Sequence, residues 1–256
     1  MAADNVLLSV QEITVRFSGI VALDGVTFAV EPGKIVGLIG PNGAGKTTLF
    51  NCLSRLYKPV SGAVIFDGKS LLGLPRYRVP ELGICRTFQN LALFPTMTVL
   101  ENVMLGVHSR TRTGFLTHAL RLPHARREED FIYEQAMEAI SFMSLKHLAH
   151  HAAAGLPYGT LKRIELARAL AGAPKLLLLD EPAGGLNHEE VTELSGLLRE
   201  IRDRLKITVL LVEHHMNLVM QVSDKVVVLD FGRKIAEGPP AQVQRNPEVI
   251  RAYLGQ

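Results

Sequence analysis

The chain has 256 residues, of which 47% are hydrophobic, so it can bury a sizeable core in one large domain or two small ones. Its net charge of +3 is too mild to indicate a nucleic-acid partner, and no apolar stretch approaches the roughly 18 residues of a membrane-spanning helix. The first residues lack the charged and apolar regions of a signal peptide, and the two cysteines, Cys52 and Cys85, have no metal-like spacing. We therefore expect a cytosolic protein, soluble or peripheral to a membrane, with reduced thiols.

Two predicted strands open the chain, because residues 7–17 and 21–30 alternate between apolar and polar side chains. The continuous apolar run at residues 35–39 predicts a buried strand. Short strands follow at residues 62–66 and 84–88, with glycine and proline between them.

The pattern becomes helical between residues 96 and 171, where residues 128–145 carry apolar side chains on one face. After this segment, strands and helices alternate: apolar runs occur at 176–179, 208–212 and 226–229, and predicted helices at 188–206 and 216–222. Alternation of this kind predicts a parallel sheet with helices on both faces. The sequence therefore predicts an α/β core that is interrupted by a helical insertion.

A glycine-rich loop lies between the predicted buried strand at 35–39 and the next helix. Its sequence is Gly40-Pro41-Asn42-Gly43-Ala44-Gly45-Lys46-Thr47, followed by Thr48. The glycines let the backbone point its N–H groups at a phosphate, and the start of the helix adds further N–H groups and the positive end of its dipole. The Lys46 ammonium suits the outer phosphates, and the Thr47 hydroxyl is a ligand for Mg²⁺. This loop predicts a P-loop that binds a nucleoside triphosphate.

An acidic pair, Asp180-Glu181, follows four consecutive leucines. Such a pair at the end of a buried strand, in a chain with a P-loop, is typical of a Walker B site. We expect Asp180 to bind Mg²⁺ through its water shell. We expect Glu181 to polarise the attacking water as a general base, an effect typically worth ~10²–10⁴ in rate.

Two further polar residues follow predicted strands. Gln89 comes after the strand at 84–88, where its amide oxygen can reach the metal or the water. His214 comes after the strand at 208–212, where its ring can touch the γ-phosphate. Either residue alone is also typical of an exposed polar position. We assign Gln89 and His214 to catalysis, and Gln89 also to the metal.

The order of these motifs resembles that of the ATPases of ABC transporters. The following segments look like the Q-loop, signature, Walker B motif, D-loop and H-loop of that family: Gln89, Leu156-Pro157-Tyr158-Gly159-Thr160, Asp180-Glu181-Pro182, Ala183-Gly184-Gly185-Leu186-Asn187 and His214. The resemblance implies ATP and Mg²⁺ as ligands. It also implies nucleotide contacts from signature residues Pro157, Tyr158, Gly159 and Thr160, and from Phe17, at the position of the family's adenine-stacking aromatic residue. A phenylalanine in a strand is otherwise typical of a core.

The resemblance also implies a fold class. We expect an α/β chain with a P-loop NTPase (RecA-like) core, an antiparallel β subdomain and an inserted α-helical subdomain, together forming a single ABC ATPase domain over residues 1–256. Residues 1–89 and 172–256 would form the nucleotide-binding core with the β subdomain. Residues 90–171 would form the helical subdomain with the signature.

Three segments resemble the branched-chain amino-acid importers more narrowly. They are Arg86-Thr87-Phe88-Gln89-Asn90, the Leu-Pro-Tyr-Gly form of the signature, and residues 246–255 at the C-terminus. The long segment 106–130 looks like that of the larger of the two ATPase types in those importers. This implies an ATP-hydrolysing subunit that drives membrane transport from the cytoplasmic face of the inner membrane. Its partners would be two membrane permease subunits, indirectly a periplasmic binding protein, and a second, homologous ABC ATPase, either a different chain or, in isolation, another copy.

The signature departs from the family's usual Leu-Ser-Gly-Gly-Gln. Pro157 replaces the serine, whose hydroxyl donates to the γ-phosphate bound on the opposite subunit in that family. Proline has neither a hydroxyl nor an N–H, although it suits the first turn of a helix. A lost hydrogen bond to a charged group costs roughly 1.5–3 kcal/mol. We therefore expect this signature to bind ATP in trans more weakly than a serine-bearing one.

Other functions stay open at this point. A lipopolysaccharide-export ATPase should keep the signature serine, and a soluble ABC ATPase of translation or DNA repair should carry a second module or a long coiled coil. A P-loop kinase or GTPase acting alone would lack the signature and His214. Residues 108–127 hold five arginines and no acid, which suits anionic lipid headgroups, a membrane subunit or a solvated insertion.

Overall fold

The computed structural model describes residues 5–87, 91–110 and 123–254, which fall into two compact units. The first unit is Met1–Val79 with Lys175–Gln256, and the second is Pro80–Pro174. The first boundary therefore follows Val79, ahead of the position after residue 89 that the sequence suggests. Gln89 and most of the arginine-rich segment 108–127 lie outside the described residues.

The strands of the described residues are, in chain order, β1 (Leu8–Phe17), β2 (Ile20–Val30), β3 (Ile35–Ile39), β4 (Ser61–Phe66), β5 (Lys69–Ser70), β6 (Ile84–Arg86), β7 (Leu176–Asp180), β8 (Thr208–Val212), β9 (Lys225–Asp230) and β10 (Arg233–Gly238). The α-helices in the same ranges are α1 (Lys46–Leu53), α2 (Val99–Met104), α3 (Pro123–Phe142), α4 (Tyr158–Ala171), α5 (His188–Leu205), α6 (Met216–Val222), α7 (Pro240–Val243) and α8 (Pro247–Leu254).

An antiparallel sheet in the first unit has the strand order β2-β1-β4-β5. Its first hairpin pairs Phe17 with Ile20 across a two-residue turn. Both turn residues have positive φ, 42° at Ser18 and 92° at Gly19, which matches the right-handed twist of the strands. This turn places Phe17 at the tip of the hairpin.

The second sheet of this unit has the order β10-β9-β3-β8-β7, in which β3, β7, β8 and β9 are parallel and β10 is antiparallel. Every residue of β3, β7 and β8 is buried, as expected for parallel strands covered on both faces. The carboxyl ends of these parallel strands meet at one edge. The segments that follow them begin with Gly40, Glu181 and Glu213, so the topology gathers these polar segments.

The second unit is mainly helical. Its helix α2 begins with a capping box, in which Thr98 Oγ1 accepts from the Glu101 N–H at 3.1 Å and Glu101 Oε2 accepts from the Thr98 N–H at 2.7 Å. Helix α3 buries the predicted face, including Ala136 and Ile140. Among residues 5–87, 91–110 and 123–254, no helix is both long enough and apolar enough to cross a membrane.

Candidate active site

The glycine-rich loop lies between β3 and α1, as predicted. A Cβ on Gly40 (φ 152°) would lie 2.1 Å from the Leu229 carbonyl oxygen, and one on Gly45 (φ 99°) would lie 2.6 Å from the Ala22 carbonyl oxygen. At Gly43 (φ 80°) a Cβ would meet nothing within 4 Å. Close backbone approach therefore requires glycine at positions 40 and 45, while the loop is open at Gly43.

Lys46 is the first residue of α1 and is only 6% exposed. Its Nζ donates to the Gly40 carbonyl oxygen at 2.7 Å and to the Pro41 carbonyl oxygen at 2.8 Å. Burial lowers the pKa of the Lys46 ammonium, and the negative charges of Glu181 and Asp180 oppose that effect. The loop lysine therefore lies within electrostatic reach of the acidic pair.

The acidic pair is placed at the end of β7. Asp180 is the last residue of the strand and is 4% exposed, and Glu181 follows with φ 50°. The Glu181 N–H donates to the Val212 carbonyl oxygen at 2.9 Å, which ties the end of β7 to that of β8. A glutamate held in the left-handed region is strained, and such residues cluster at functional sites.

His214 lies against Glu181, although the two residues are thirty-three positions apart in the sequence. The parallel pairing of β7 with β8 brings them together. The His214 Nε2 is 2.7 Å from Glu181 Oε1. A neutral imidazole that carries its proton on Nε2 can donate to that carboxylate oxygen without being charged. The structure therefore joins two residues that the sequence assigned to catalysis separately.

Phe17 is 42% exposed, so its ring is not a core side chain. The ring of Tyr57 meets it edge-on, with centroids 5.1 Å apart and an angle of 71° between the planes. Sequence reasoning missed Tyr57, because nothing in its local pattern indicates a partner forty residues earlier.

Glu213 is a second residue that sequence reasoning missed. It is 1% exposed and accepts hydrogen bonds from the backbone N–H groups of Ala183, His214 and His215. A signal was present in the sequence, since an acidic residue directly after the buried run at 208–212 must either be exposed or have partners.

The signature residues lie in the second unit. Pro157 immediately precedes α4, with φ −54° and ψ 148°, and provides no side-chain cap. Tyr158 is 42% exposed, and Gly159 and Thr160 are half-buried at the start of the helix. The Lys162 Nζ lies 5.7 Å from the centroid of the Tyr158 ring. The signature thus presents an aromatic ring and a helix N-terminus at the surface of its unit.

Comparison with known proteins identifies relatives over nearly the whole chain. A family model described as ABC transporter matches residues 23–184, and one described as branched-chain amino acid ATP-binding cassette transporter matches residues 233–256. The high-affinity branched-chain amino acid transport ATP-binding protein BraF of Pseudomonas aeruginosa is 43% identical over 250 residues, covering 98% of each chain. LivG of Escherichia coli K12, which has the same description, is also 43% identical over 98% of each chain.

Solved structures show the same fold. A nucleotide-free ATP-binding cassette from an ABC transporter superposes with a TM-score of 0.85 at 31% identity, covering 98% of this chain and 100% of that one. A dimeric bacterial ABC transporter cassette gives a TM-score of 0.74 at 26% identity, covering 91% of this chain and 98% of that one. The predicted fold class, an α/β P-loop core with an antiparallel sheet and a helical insertion, is confirmed.

Proposed function

Because this chain belongs to the ABC transporter family of ATP-binding proteins, we propose that it is the ATP-hydrolysing subunit of an importer for branched-chain or related amino acids. One observation supports the substrate class. The chain is 43% identical, over nearly its full length, to two proteins described as branched-chain amino acid transport ATP-binding proteins. Residues 233–256 also match the family model of branched-chain amino acid ATP-binding cassette transporters, which supports the same substrate class. The amino acid transport role in the descriptions of both relatives favours an importer over the alternatives, a lipopolysaccharide-export ATPase and a soluble ABC ATPase.

ATP would bind along the P-loop with its phosphates at the start of α1. The backbone N–H groups that follow Gly40 and the helix N-terminus favour negative charge there. An ammonium has three N–H donors, and Lys46 directs two of them to the carbonyls of Gly40 and Pro41. The third suits a β- or γ-phosphate oxygen. Phe17, steadied by Tyr57, offers an exposed ring face for adenine.

The donor set fits Mg²⁺. Thr47 supplies an exposed hydroxyl at the start of α1, and Asp180 supplies a buried carboxylate in the electrostatic neighbourhood of Lys46. Hydroxyl and carboxylate oxygens are hard ligands of the kind this ion prefers. We propose that Thr47, Asp180 and Gln89 hold it, where its charge would neutralise phosphate oxygens.

Hydrolysis would use Glu181 and His214. Glu181 would accept a proton from the water that attacks the γ-phosphorus, while the bond from that phosphorus to the leaving oxygen breaks. His214 is already within hydrogen-bond distance of Glu181 Oε1, so it can orient the carboxylate and reach the γ-phosphate. The strained backbone at Glu181 suits a residue whose position is set by function.

A second ATPase would complete each site. The exposed Tyr158 ring and the N-terminus of α4 suit a signature that faces the nucleotide of a partner. The dimeric cassette that this chain resembles supports such pairing. We propose that the partner is a homologous ATPase, and that ATP closes the pair and hydrolysis reopens it.

The segment after Gln89 would contact the membrane subunits. Its Phe94 is 53% exposed, yet the backbone is fixed, because the Asn102 side chain accepts from the Phe94 N–H at 2.8 Å and donates to the Phe94 carbonyl at 3.0 Å. Asn102 itself is fully buried at 0% exposure. A rigid loop that presents an exposed aromatic residue suits a docking site. This contact would place the chain at the cytoplasmic face of the inner membrane, with a binding protein delivering substrate on the other side.

Uptake in the native host tests the substrate class. We expect a strain that carries only Glu181→Gln to lose uptake of radiolabelled leucine, isoleucine and valine, while Glu200→Gln, a change on the exposed face of α5, retains it. Undiminished uptake of all three amino acids in a Glu181→Gln strain whose purified complex no longer hydrolyses ATP would contradict the assigned cargo.

A further inference from the structure

Glu213 is a buried carboxylate that takes no part in the hydrolysis proposed above. It follows β8 and is 1% exposed, although a charged side chain is rarely buried without partners. All of its hydrogen bonds within the described residues are to backbone donors. Glu213 therefore fixes the conformation of the backbone segments around it.

The two carboxylate oxygens of Glu213 hold two different loops. Oε1 accepts from the Ala183 N–H at 2.7 Å, in the segment after β7. Oε2 accepts from the N–H groups of His214 at 3.0 Å and His215 at 3.2 Å, in the segment after β8. An ionised carboxylate is an acceptor only, so it matches a site that offers three donors.

The Ala183 N–H is buried, because Ala183 is 0% exposed, and it donates to Glu213 Oε1. The nearby Glu181 carbonyl already accepts from the Gly184 N–H at 3.1 Å. Without Glu213, a buried donor two residues after the strained Glu181 would be left unsatisfied. Such a donor would favour a different path for this loop.

The position of the His214 side chain also depends on Glu213. Its imidazole is 42% exposed, so packing does little to hold it at 2.7 Å from Glu181 Oε1. The position of the ring is therefore set mainly by the backbone of His214, which Glu213 fixes. The carboxylate holds the backbone on both sides of the Glu181–His214 contact.

On this basis, and resting on the proposed function, we propose that Glu213 is a positioning residue for ATP hydrolysis. It fixes the loop after Glu181 relative to the backbone of His214, so that the side chains of Glu181 and His214 stay in hydrogen-bond contact. Productive geometry at a reacting centre is needed to about 0.5 Å, and two separate loops do not supply that without a shared contact.

The first experiment measures the contacts. Glu213→Gln keeps one acceptor oxygen and turns the other into a donor that faces N–H groups. Amide hydrogen exchange on the full chain should show faster exchange at Ala183, His214 and His215, with no change at Ile35. The matched control is Asp224→Asn, because Asp224 Oδ2 accepts from the Ile35 N–H at 2.8 Å. In that variant, exchange should be faster at Ile35 and unchanged at Ala183, His214 and His215.

The second experiment measures function on the chain purified with its membrane subunits. Glu213→Gln should lower kcat roughly ten- to hundredfold with little change in the KM for ATP, whereas Asp224→Asn should keep the wild-type kcat. Because Glu213 and His214 position the same contact, the double variant Glu213→Gln/His214→Ala should lose less kcat than the product of the two single losses. Wild-type kcat in Glu213→Gln, or fully additive losses in the double variant, would overturn the inference.

Glu181→Gln in the same assay separates this inference from the proposed function. If Glu181→Gln is inactive and Glu213→Gln is fully active, only the role of Glu213 fails. If Glu181→Gln remains active, the proposed chemistry fails, and unchanged exchange at the three amides in Glu213→Gln would still refute the anchoring role.

Discussion

The ring of Tyr57 meets the ring of Phe17 edge-on, with centroids 5.1 Å apart. Phe17 ends β1 and Tyr57 follows α1, so the contact links the tip of the first hairpin to the helix that begins at Lys46. The backbone reinforces the link, because the Val60 N–H donates to the Thr14 carbonyl at 2.8 Å. An edge-to-face pair fixes the plane of the Phe17 ring before any base stacks on it.

Replacing Tyr57 should therefore weaken nucleotide binding. We expect Tyr57→Leu to lower ATP affinity roughly two- to tenfold, because a Phe17 ring without its partner must be ordered when adenine binds, which costs about 0.5–1.5 kcal/mol. Tyr57→Phe keeps the ring and should bind as the wild type does. Titration calorimetry without Mg²⁺ measures the affinity, with Tyr77→Leu, at an exposed position of the same unit, as control. Equal affinity in Tyr57→Leu and the wild type would show that the ring pair has no part in binding.

Patterns within one element predicted the fold well. The buried strands β3, β7 and β8 were visible as apolar runs, and the glycines that precede Lys46 indicated a turn between strand and helix. The partnership of Phe17 with Tyr57, and of Glu213 with Ala183, could not be predicted, because it depends on which strand ends are adjacent in space. The same holds for the contact of His214 with Glu181, which the parallel pairing of β7 with β8 creates.

Glycine substitutions in the P-loop should differ sharply in cost. Gly40→Ala would force a Cβ to within 2.1 Å of the Leu229 carbonyl oxygen, so we expect it to lower the free energy of unfolding by roughly 3 kcal/mol or more. In Gly43→Ala the new Cβ meets nothing within 4 Å, so the free energy of unfolding should fall by only about 1–2 kcal/mol, because of the positive φ at this position. Urea denaturation measures both variants. Similar losses at the two positions would contradict the packing described for Gly40.

The signature should bind ATP more tightly if its hydroxyl is restored. We expect Pro157→Ser, assembled with its partner ATPase, to strengthen ATP binding at the composite site roughly tenfold or more, because the new hydroxyl can donate to a charged phosphate. Pro157→Ala, which also removes the ring but adds no hydroxyl, is the matched control. ATP-dependent association of the pair in the Glu181→Gln background measures the effect. Indistinguishable behaviour of the serine and alanine variants would rule out a missing hydrogen bond.

Both cysteines should be slow to react in the folded protein. Burial raises the pKa of Cys52 and of Cys85 to about 11, from 9.0. At pH 8 the thiolate fraction is then about a hundredfold below that of an unperturbed thiol. Labelling with a disulfide reagent should be slow in buffer and rapid in urea, and rapid labelling of Cys52 without urea would contradict its full burial.

The same shifts give the stability a pH dependence. Between pH 9 and about 11 the native state keeps the two protons that the unfolded chain releases. Stability should therefore fall as pH rises through this window, and these two groups give it no pH dependence below the window. Cys52→Ala with Cys85→Ala should flatten that part of a urea-denaturation profile, and an unchanged slope would assign the loss to other groups.

If Glu181 is the general base of ATP hydrolysis, steady-state turnover in the assembled complex must depend on its carboxylate. Glu181→Gln should bind ATP as the wild type does and hydrolyse it about 10²–10⁴-fold more slowly, while Glu200→Gln hydrolyses it normally. Near-normal ATPase activity in Glu181→Gln would show that Glu181 is not the general base.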